Sequence, residues 1–355
     1  MSLKHYLPVF CLVGFAIVLI LTFKINSLTV LDQRTSQFNE TIDTAVDDTL
    51  NSMLAVTDSF AHDVNLQVCS NKFFRALNAG FDLSDSKTGS KQLSMYVPIL
   101  LLTDTDGFYV CYHSLSPDKQ YTAKVWTQKM PYFYSSTVED SGANSPTSYK
   151  YTIDFTMSDL IHLTFIKFEG GVSDKSYSFD GNFNTIVQEN AGAEGLDELQ
   201  TVWTLLREEK QPLSDSNFKR FKQSVMIYQI TKKANYYVNK HNKIAQAYGI
   251  SYHFSLPESS TDSFTRTIED VSLMAIFQGY PYGKGTDDVY SRFSVSGARI
   301  YRGGRFYVMP ASDGVSYYHR SDCPELEGSR SNYQAFDSKK QCAEFGAYPC
   351  PKCKP

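Results

Sequence analysis

The chain has few features that would name a chemistry. Its 355 residues contain no internal repeat and no GxxxxGK[ST] phosphate loop, because the Gly-rich stretch Gly279-Tyr-Pro-Tyr-Gly-Lys-Gly285 has the wrong spacing. Charge of one sign is not in excess. Lys and Arg total 34 against 38 for Asp and Glu, a net charge of -4, which excludes non-specific attraction to nucleic acid over the whole surface. Proline and glycine are absent from Lys24 to Cys69, so nothing in that stretch forces a chain reversal. Only one apolar run reaches membrane-spanning length; the next best, Met95 to Leu102, is far too short. Cysteine is sparse before residue 320, at Cys11, Cys69 and Cys111. What remains is ample core material: 42 % apolar and 20 % charged residues, with 24 Tyr and 24 Phe, which excludes disorder as the dominant state.

The spanning run is Tyr6 to Phe23, apolar on every face and bounded by Lys4-His5 and Lys24. About 18 residues at 1.5 Å each nearly match a hydrocarbon core of roughly 30 Å. A cleaved signal peptide is the competing reading, but no small-x-small site follows Phe23, so a retained anchor is expected over residues 1–24. Only Met1 to His5 precede it, and a short basic tip of this kind predicts the N-terminus inside and the body outside the cytoplasm. Leu31, Phe38, Ile42, Ala45/Val46, Leu50, Met53, Val56, Phe60 and Val64 then step by three, four and seven, a helical stripe over residues 25–69. The expectation is one helix from Lys24 to about Asn65 with its stripe on the body; a coiled-coil stalk would use the same stripe. This outline, a membrane helix running into an α/β head, resembles the type IV pilin and pseudopilin architecture. The leader-cleavage signature of that family is absent, since Gly14-Phe15 is followed by Leu19 where those proteins carry Glu.

Residues 70–310 read as a mixed α+β body. Ser70-Asn71 predicts a cap for a helix over Lys72 to Gly80. Ser94 to Leu102 and Phe108 to His113 flank Asp104-Thr-Asp-Gly107, a hairpin signal, with Asp104 and Asp106 serving the turn. That sheet pattern resembles Cache/PAS-type extracytoplasmic sensors. Pro117 to Pro146 reads as a surface excursion around Trp126, and Gly170 to Gly195 as loop. Tyr149 to Phe155 and Leu160 to Phe168 read as strands. A helical pair is expected over 196–249, one stripe on Leu199, Val202, Trp203 and Leu206 and a second from Phe218 to Tyr248, capped by Ser214/Asp215. Ile250 to Leu256, Phe293 to Tyr301 and Arg305 to Met309 read as strands, and Thr267 to Gly279 as a short helix. His241 and His253 lack a Cys, Ser or carboxylate at catalytic spacing and read as packing or solvated residues. Arg299, Arg302 and Arg305 with Lys352 and Lys354 are the one candidate basic patch for nucleic acid, and the favoured reading of them is solvated strand edges and a tail.

The last forty-odd residues, 311–355, are specific. Cys350-Pro-Lys-Cys353 is a CxxC knuckle, and His319-Arg-Ser-Asp-Cys323 offers a second pair of soft ligands, a set suited to tetrahedral Zn²⁺. Disulfides are the alternative chemistry for an external location, but they give His319 no role. Tyr317 to Leu326, Ser338 to Gly346 and Tyr348 to Pro355 together resemble the metal-binding domain of Ada-type DNA repair proteins, and its relatives appended to secreted bacterial nucleases. The resemblance implies a ββα module in which a strand pair supplies His319 and Cys323, a short helix leads into the CxxC turn, and His319, Cys323, Cys350 and Cys353 hold one zinc ion. The repair proteins carry Cys at the first position and use its zinc-bound thiolate as methyl acceptor; His319 stands there in this chain. Cys342 falls on the helix and is not expected to ligate.

The expected fold class is therefore α+β: a transmembrane helix continuing into a long helix, a mixed extracytoplasmic body and a C-terminal zinc module. With no catalytic set legible, the expected function is a non-enzymatic, membrane-anchored surface protein of a pilus, secretion, conjugation or DNA-uptake apparatus, with protein partners. An extracytoplasmic ligand sensor and a zinc-module-bearing hydrolase or nuclease are the alternatives.

Overall fold

The computed structural model describes residues 7–54, 65–115, 122–140, 146–208, 213–214, 216–256, 271–282, 289–298, 306–310, 314–319, 323–326, 333–336 and 339–353. It is a mixed α+β structure opened by a long apolar helix. Helix α1, Leu7–Leu54, runs 48 residues without a break, roughly 70 Å at 1.5 Å per residue. Its two ends differ in what they touch. Leu12, Phe15, Ile20 and Phe23 are 66–70 % exposed, whereas Ile42, Ala45, Val46 and Leu50 are buried to 1 % or less. The buried set is the stripe read from the sequence. The hydroxyls of Thr22, Thr29, Thr35 and Thr49 bond back to the carbonyls four residues earlier, which satisfies them within the helix. Continuity holds through Leu54; Met53 side-chain placement and residues 55–64, with Val56, Phe60 and Val64, lie outside the described residues.

Helix α2, Leu66–Gly80, begins earlier than expected. Asn65 is its cap, accepting from the Val68 N–H, and Ser70 sits inside the helix with its hydroxyl on the Leu66 and Gln67 carbonyls. Asn and Ser are equally good caps in isolation, and the buried Cys69 extends the apolar face one turn upstream. Helix α3, Lys87–Ser94, follows and takes Ser94 out of the predicted strand.

Five antiparallel strands form the first sheet: β1 Ile99–Asp104, β2 Gly107–Leu115, β3 Thr122–Trp126, β8 Val271–Pro281 and β9 Val289–Ala298, in the order β3-β2-β1-β8-β9. The Asp-Gly hairpin is present, with Asp104 opposite Gly107. A Cβ on Gly107 would stand 2.7 Å from the Met130 carbonyl oxygen, so glycine is required there by close approach. The second sheet is a meander of β4 Tyr132–Asp140, β5 Thr147–Phe155, β6 Leu160–Glu169 and β7 Val172–Asn182. Helices α4 Ile186–Glu189, α5 Leu196–Arg207 and α6 Phe218–Ala247 complete the body. Helix α1 lies along β8 and β9, while α6 lies along β1 and β2 and reaches β4.

Four expectations are overturned. The excursion from Pro117 to Pro146 contains β3 and β4, and the loop from Gly170 to Gly195 contains β7 and α4. Strands β4 and β7 are polar on one face and gain their stability from partners, which a local reading undercounts. Of the helix expected over Thr267 to Gly279, the described part, from Val271 on, is strand β8: it is buried on every residue from Ser272 to Gly279, and a continuous apolar run has no period to separate strand from helix. Ile250 to Leu256 pairs in no ladder; Asn242 instead holds Phe254, accepting its N–H at 2.7 Å and donating to its carbonyl at 2.9 Å. The predicted Ser214 cap acts through its backbone, with its carbonyl accepting from Asn217 and Phe218, and Asp215 lies outside the described residues.

Candidate metal centre

The C-terminal residues build a separate small sheet, β10 Phe306–Pro310, β11 Ser316–His319, β12 Gln334–Phe336 and β13 Tyr348–Pro349, in the order β12-β10-β11-β13. Strand β10, assigned to the body from sequence, thus belongs to this module. Alternation along β10 splits the module's interior in two. Phe306 and Val308 face a cluster with Tyr318, Cys342 and Ala347, while Tyr307 faces a cluster of Cys323, Leu326, Cys350 and Cys353.

Each ligand is placed by a distinct local cause. His319 ends β11, paired opposite Tyr307. Cys323 opens a 3-10 turn over Pro324–Leu326 and accepts the Leu326 N–H on its carbonyl. Helix α7, Lys339–Glu344, stops where Gly346 takes φ +88°, a conformation that favours glycine, and the chain turns into β13. The Cys350 N–H then bonds the Tyr318 carbonyl at 3.1 Å, which fixes the knuckle beside His319.

The four side chains are all buried, and one ligand atom from each lies within 4.8 Å of every other. His319 Nδ1 is 3.3 Å from Cys323 Sγ. A tetrahedron with Zn–S near 2.3 Å and Zn–N near 2.1 Å has edges of roughly 3.6–3.8 Å, so the group is sized for one such ion. Burial pushes the Cys350 thiol up, but main-chain N–H groups of Cys353 and Lys352 and the neighbouring thiols outweigh it, and the net direction is down. Those N–H groups favour a thiolate at the first knuckle position. Burial raises the Cys323 thiol to about 12, with Cys353 and Cys350 adding to it: three thiols so close cannot all ionise without a cation among them. Burial lowers His319, which keeps its imidazole neutral and its nitrogen free to ligate. This cluster could hold a metal ion. Cys342 is fully buried but stands in the other cluster, with its thiol raised to about 11 by burial.

Other residues singled out from sequence fall into structural roles. Asp104 and Asp106 both pair with Lys129, at 2.8 and 2.5 Å, across the hairpin. Lys352 pairs with Glu325; Arg299, Arg302, Arg305 and Lys354 lie outside the described residues. His253 Nε2 is 3.5 Å from Asn242 Nδ2. His241 is not alone: its ring centroid is 5.3 Å from that of His113 on β2. Their Nε2 atoms face the consecutive carbonyls of Met95 and Ser94 at 2.8 and 3.0 Å, and neither Nδ1 has a hydrogen-bond partner. Burial, then the facing His241 and Lys124, lowers His113 to about 3; burial lowers His241 to about 4. Nothing in the sequence joins residues 128 positions apart on a strand and a helix. No family model, curated protein or solved structure matches this chain.

Proposed function

We propose that the protein is a single-pass membrane protein that displays its body outside the cytoplasm as part of a surface assembly, with a zinc-stabilised C-terminal module as a partner-binding element. The observation that carries this reading is the division of α1. One helix, long and apolar enough to cross a membrane, is exposed along its apolar stretch from Leu12 to Val30 and buries a stripe at Ile42, Ala45, Val46 and Leu50 in the protein core. A soluble core helix does not leave its apolar residues from Leu12 to Phe23 open to solvent, and this helix runs unbroken past Phe23 into the part that the body grips. The grip is specific as well as apolar. Arg292 on β9 holds Asp43 with two contacts, at 3.2 and 2.5 Å, Tyr290 donates to Asn39 at 2.6 Å, and Phe38 stacks on Phe81.

Zinc is the metal that the donor set suits best, three thiolates and one imidazole in two close pairs. Four protein ligands fill a tetrahedron, so the ion's role is to fold the module rather than to activate water. Expressed chain should stay with membranes through carbonate extraction, and external protease should remove the body. Recovery of a soluble mature chain that begins beyond Lys24 would overturn the anchor. Zinc analysis of the purified chain should give one ion per molecule, and a value near zero under reducing conditions would overturn the metal. The sensor reading draws on one further observation: α1 packs directly on β8 and β9 of the five-stranded sheet, so movement of that sheet would reach the membrane through a rigid rod.

A further inference from the structure

The outward face of the second sheet carries three side chains that the fold alone brings together. Cross-strand pairing sets His162 opposite Asp180 and Thr164 opposite Ser178. His162 Nδ1 lies 2.6 Å from Asp180 Oδ1, and His162 Nε2 lies 3.0 Å from Ser178 Oγ. An ionised carboxylate only accepts, so Asp180 fixes the proton on Nδ1 and leaves the Nε2 lone pair for the serine hydroxyl. This is the order of contacts by which a base, oriented by a third group, activates a nucleophile. Pairing on neighbouring strands accounts for His162 meeting Asp180, but it does not require a hydroxyl on the other ring nitrogen.

The geometry points to an acyl-transfer centre on this face, with Ser178 as nucleophile, His162 as general base and Asp180 as the carboxylate that orients it, acting on short-chain carboxylic esters carried by extended polar molecules. The substrate class follows from the surroundings. Ser135, Thr152, Thr164 and Ser178 form one register row of hydroxyls across all four strands, a polar strip on which an extended polar molecule can lie. An oxyanion donor is also at hand. The Asp180 carbonyl accepts from Asn190 Nδ2 and the Asn182 N–H donates to Glu189, so these alternate residues of β7 turn their main-chain groups to the open edge of the sheet. By the same alternation the Ser178 N–H faces that edge, beside its own hydroxyl.

In the reaction, Ser178 Oγ attacks the ester carbonyl as His162 Nε2 takes the hydroxyl proton. The carbon–oxygen bond to the alcohol then breaks, and the imidazolium returns the proton to the departing alkoxide. Water, deprotonated by the same nitrogen, attacks the acyl-serine; the serine leaves with that proton, and the sum is ester plus water giving acid plus alcohol. Thr164 Oγ1 lies 3.2 Å from both His162 Nε2 and Ser178 Oγ and is the competing hydroxyl.

The full chain in detergent decides this with two probes, a fluorophosphonate read by peptide mass spectrometry and p-nitrophenyl acetate hydrolysis. Phosphonylation of Ser178 is expected, with hydrolysis at least tenfold above that of Ser178→Ala. His162→Gln should fall to the Ser178→Ala rate, Asp180→Asn should lose tenfold or more, and Thr164→Ala should still label at Ser178. All four positions are surface residues of a folded sheet, so circular dichroism of the variants should match the parent. An unlabelled Ser178, or a Ser178→Ala chain that hydrolyses the ester at the parent rate, overturns the proposal.

Discussion

The body and the C-terminal module solve the same problem with different means. In the body a single continuous core runs from α1 through both sheets to α6, with phenylalanine and tyrosine rings packed edge and face against one another. The module divides its few apolar residues into two clusters of about half a dozen each. Burial at roughly 25 cal/mol per Å² can hold the first, but so small a sheet cannot offset its own chain entropy that way. The four buried ligands occupy the place where a larger domain would have aliphatic core. On the proposed reading one region is held by area and the other by coordination, and each should fail by its own route.

The largest effect is expected at the knuckle. Cys350→Ser should release the metal and unfold the module, because ligand binding and folding are one equilibrium worth on the order of 10 kcal/mol in such sites. Metal analysis and amide exchange should show loss confined to β10 and the residues after it, whereas Cys342→Ala should keep its metal. Cooperative loss of the body together with the module would break the comparison.

A cavity in the body is the next test. Phe277 on β8 is fully buried among Phe81, Tyr96, Tyr280 and Tyr290. Phe277→Ala should cost about 3–5 kcal/mol in denaturant titration, while the metal content stays at the parent value.

Acid should also weaken the body first through His113 and His241. Their folded values, about 3 and about 4, lie below the ordinary histidine value of 6.5. Between those limits the unfolded chain binds protons that the folded chain refuses, so stability is lost as pH falls from 6.5 toward 4 and is flat above 6.5. The loss should reach a few kcal/mol per histidine. Lys124, the other cation facing the pair, stays in place in the control. Replacing both rings, His113→Phe with His241→Phe, should flatten that slope when body unfolding is followed by aromatic fluorescence.

The smallest effect is expected where α1 meets β9. Arg292 and Asp43 are each more than a third exposed, so Asp43→Asn should cost no more than about 1 kcal/mol. Amide exchange in α1 around Ile42 should rise slightly while the rest of the body is unchanged.

The parts legible in advance share a physical cause: their signal is local. The apolar run of α1, its stripe at Phe38, Ile42 and Val46, the Asp-Gly turn and the Cys-x-x-Cys knuckle all sit within a few residues of themselves. The parts that were not legible depend on partners far along the chain. Strand β8 became a strand because β1 and β9 flank it, its unbroken apolar run being silent about period. Strands β4 and β7 were hidden by polar faces that only a neighbouring strand makes into a sheet.

By itself, then, the sequence determined a long apolar helix, a globular α+β body and a set of four soft ligands in two pairs, since helix periodicity and ligand spacing are short-range properties. Tertiary structure alone decided which of those residues meet. It paired His113 with His241, drew Ser178 and Asp180 to His162, and closed Arg292 on Asp43 across 249 positions of chain. Contacts of that separation follow from strand register and helix packing, which no local pattern encodes.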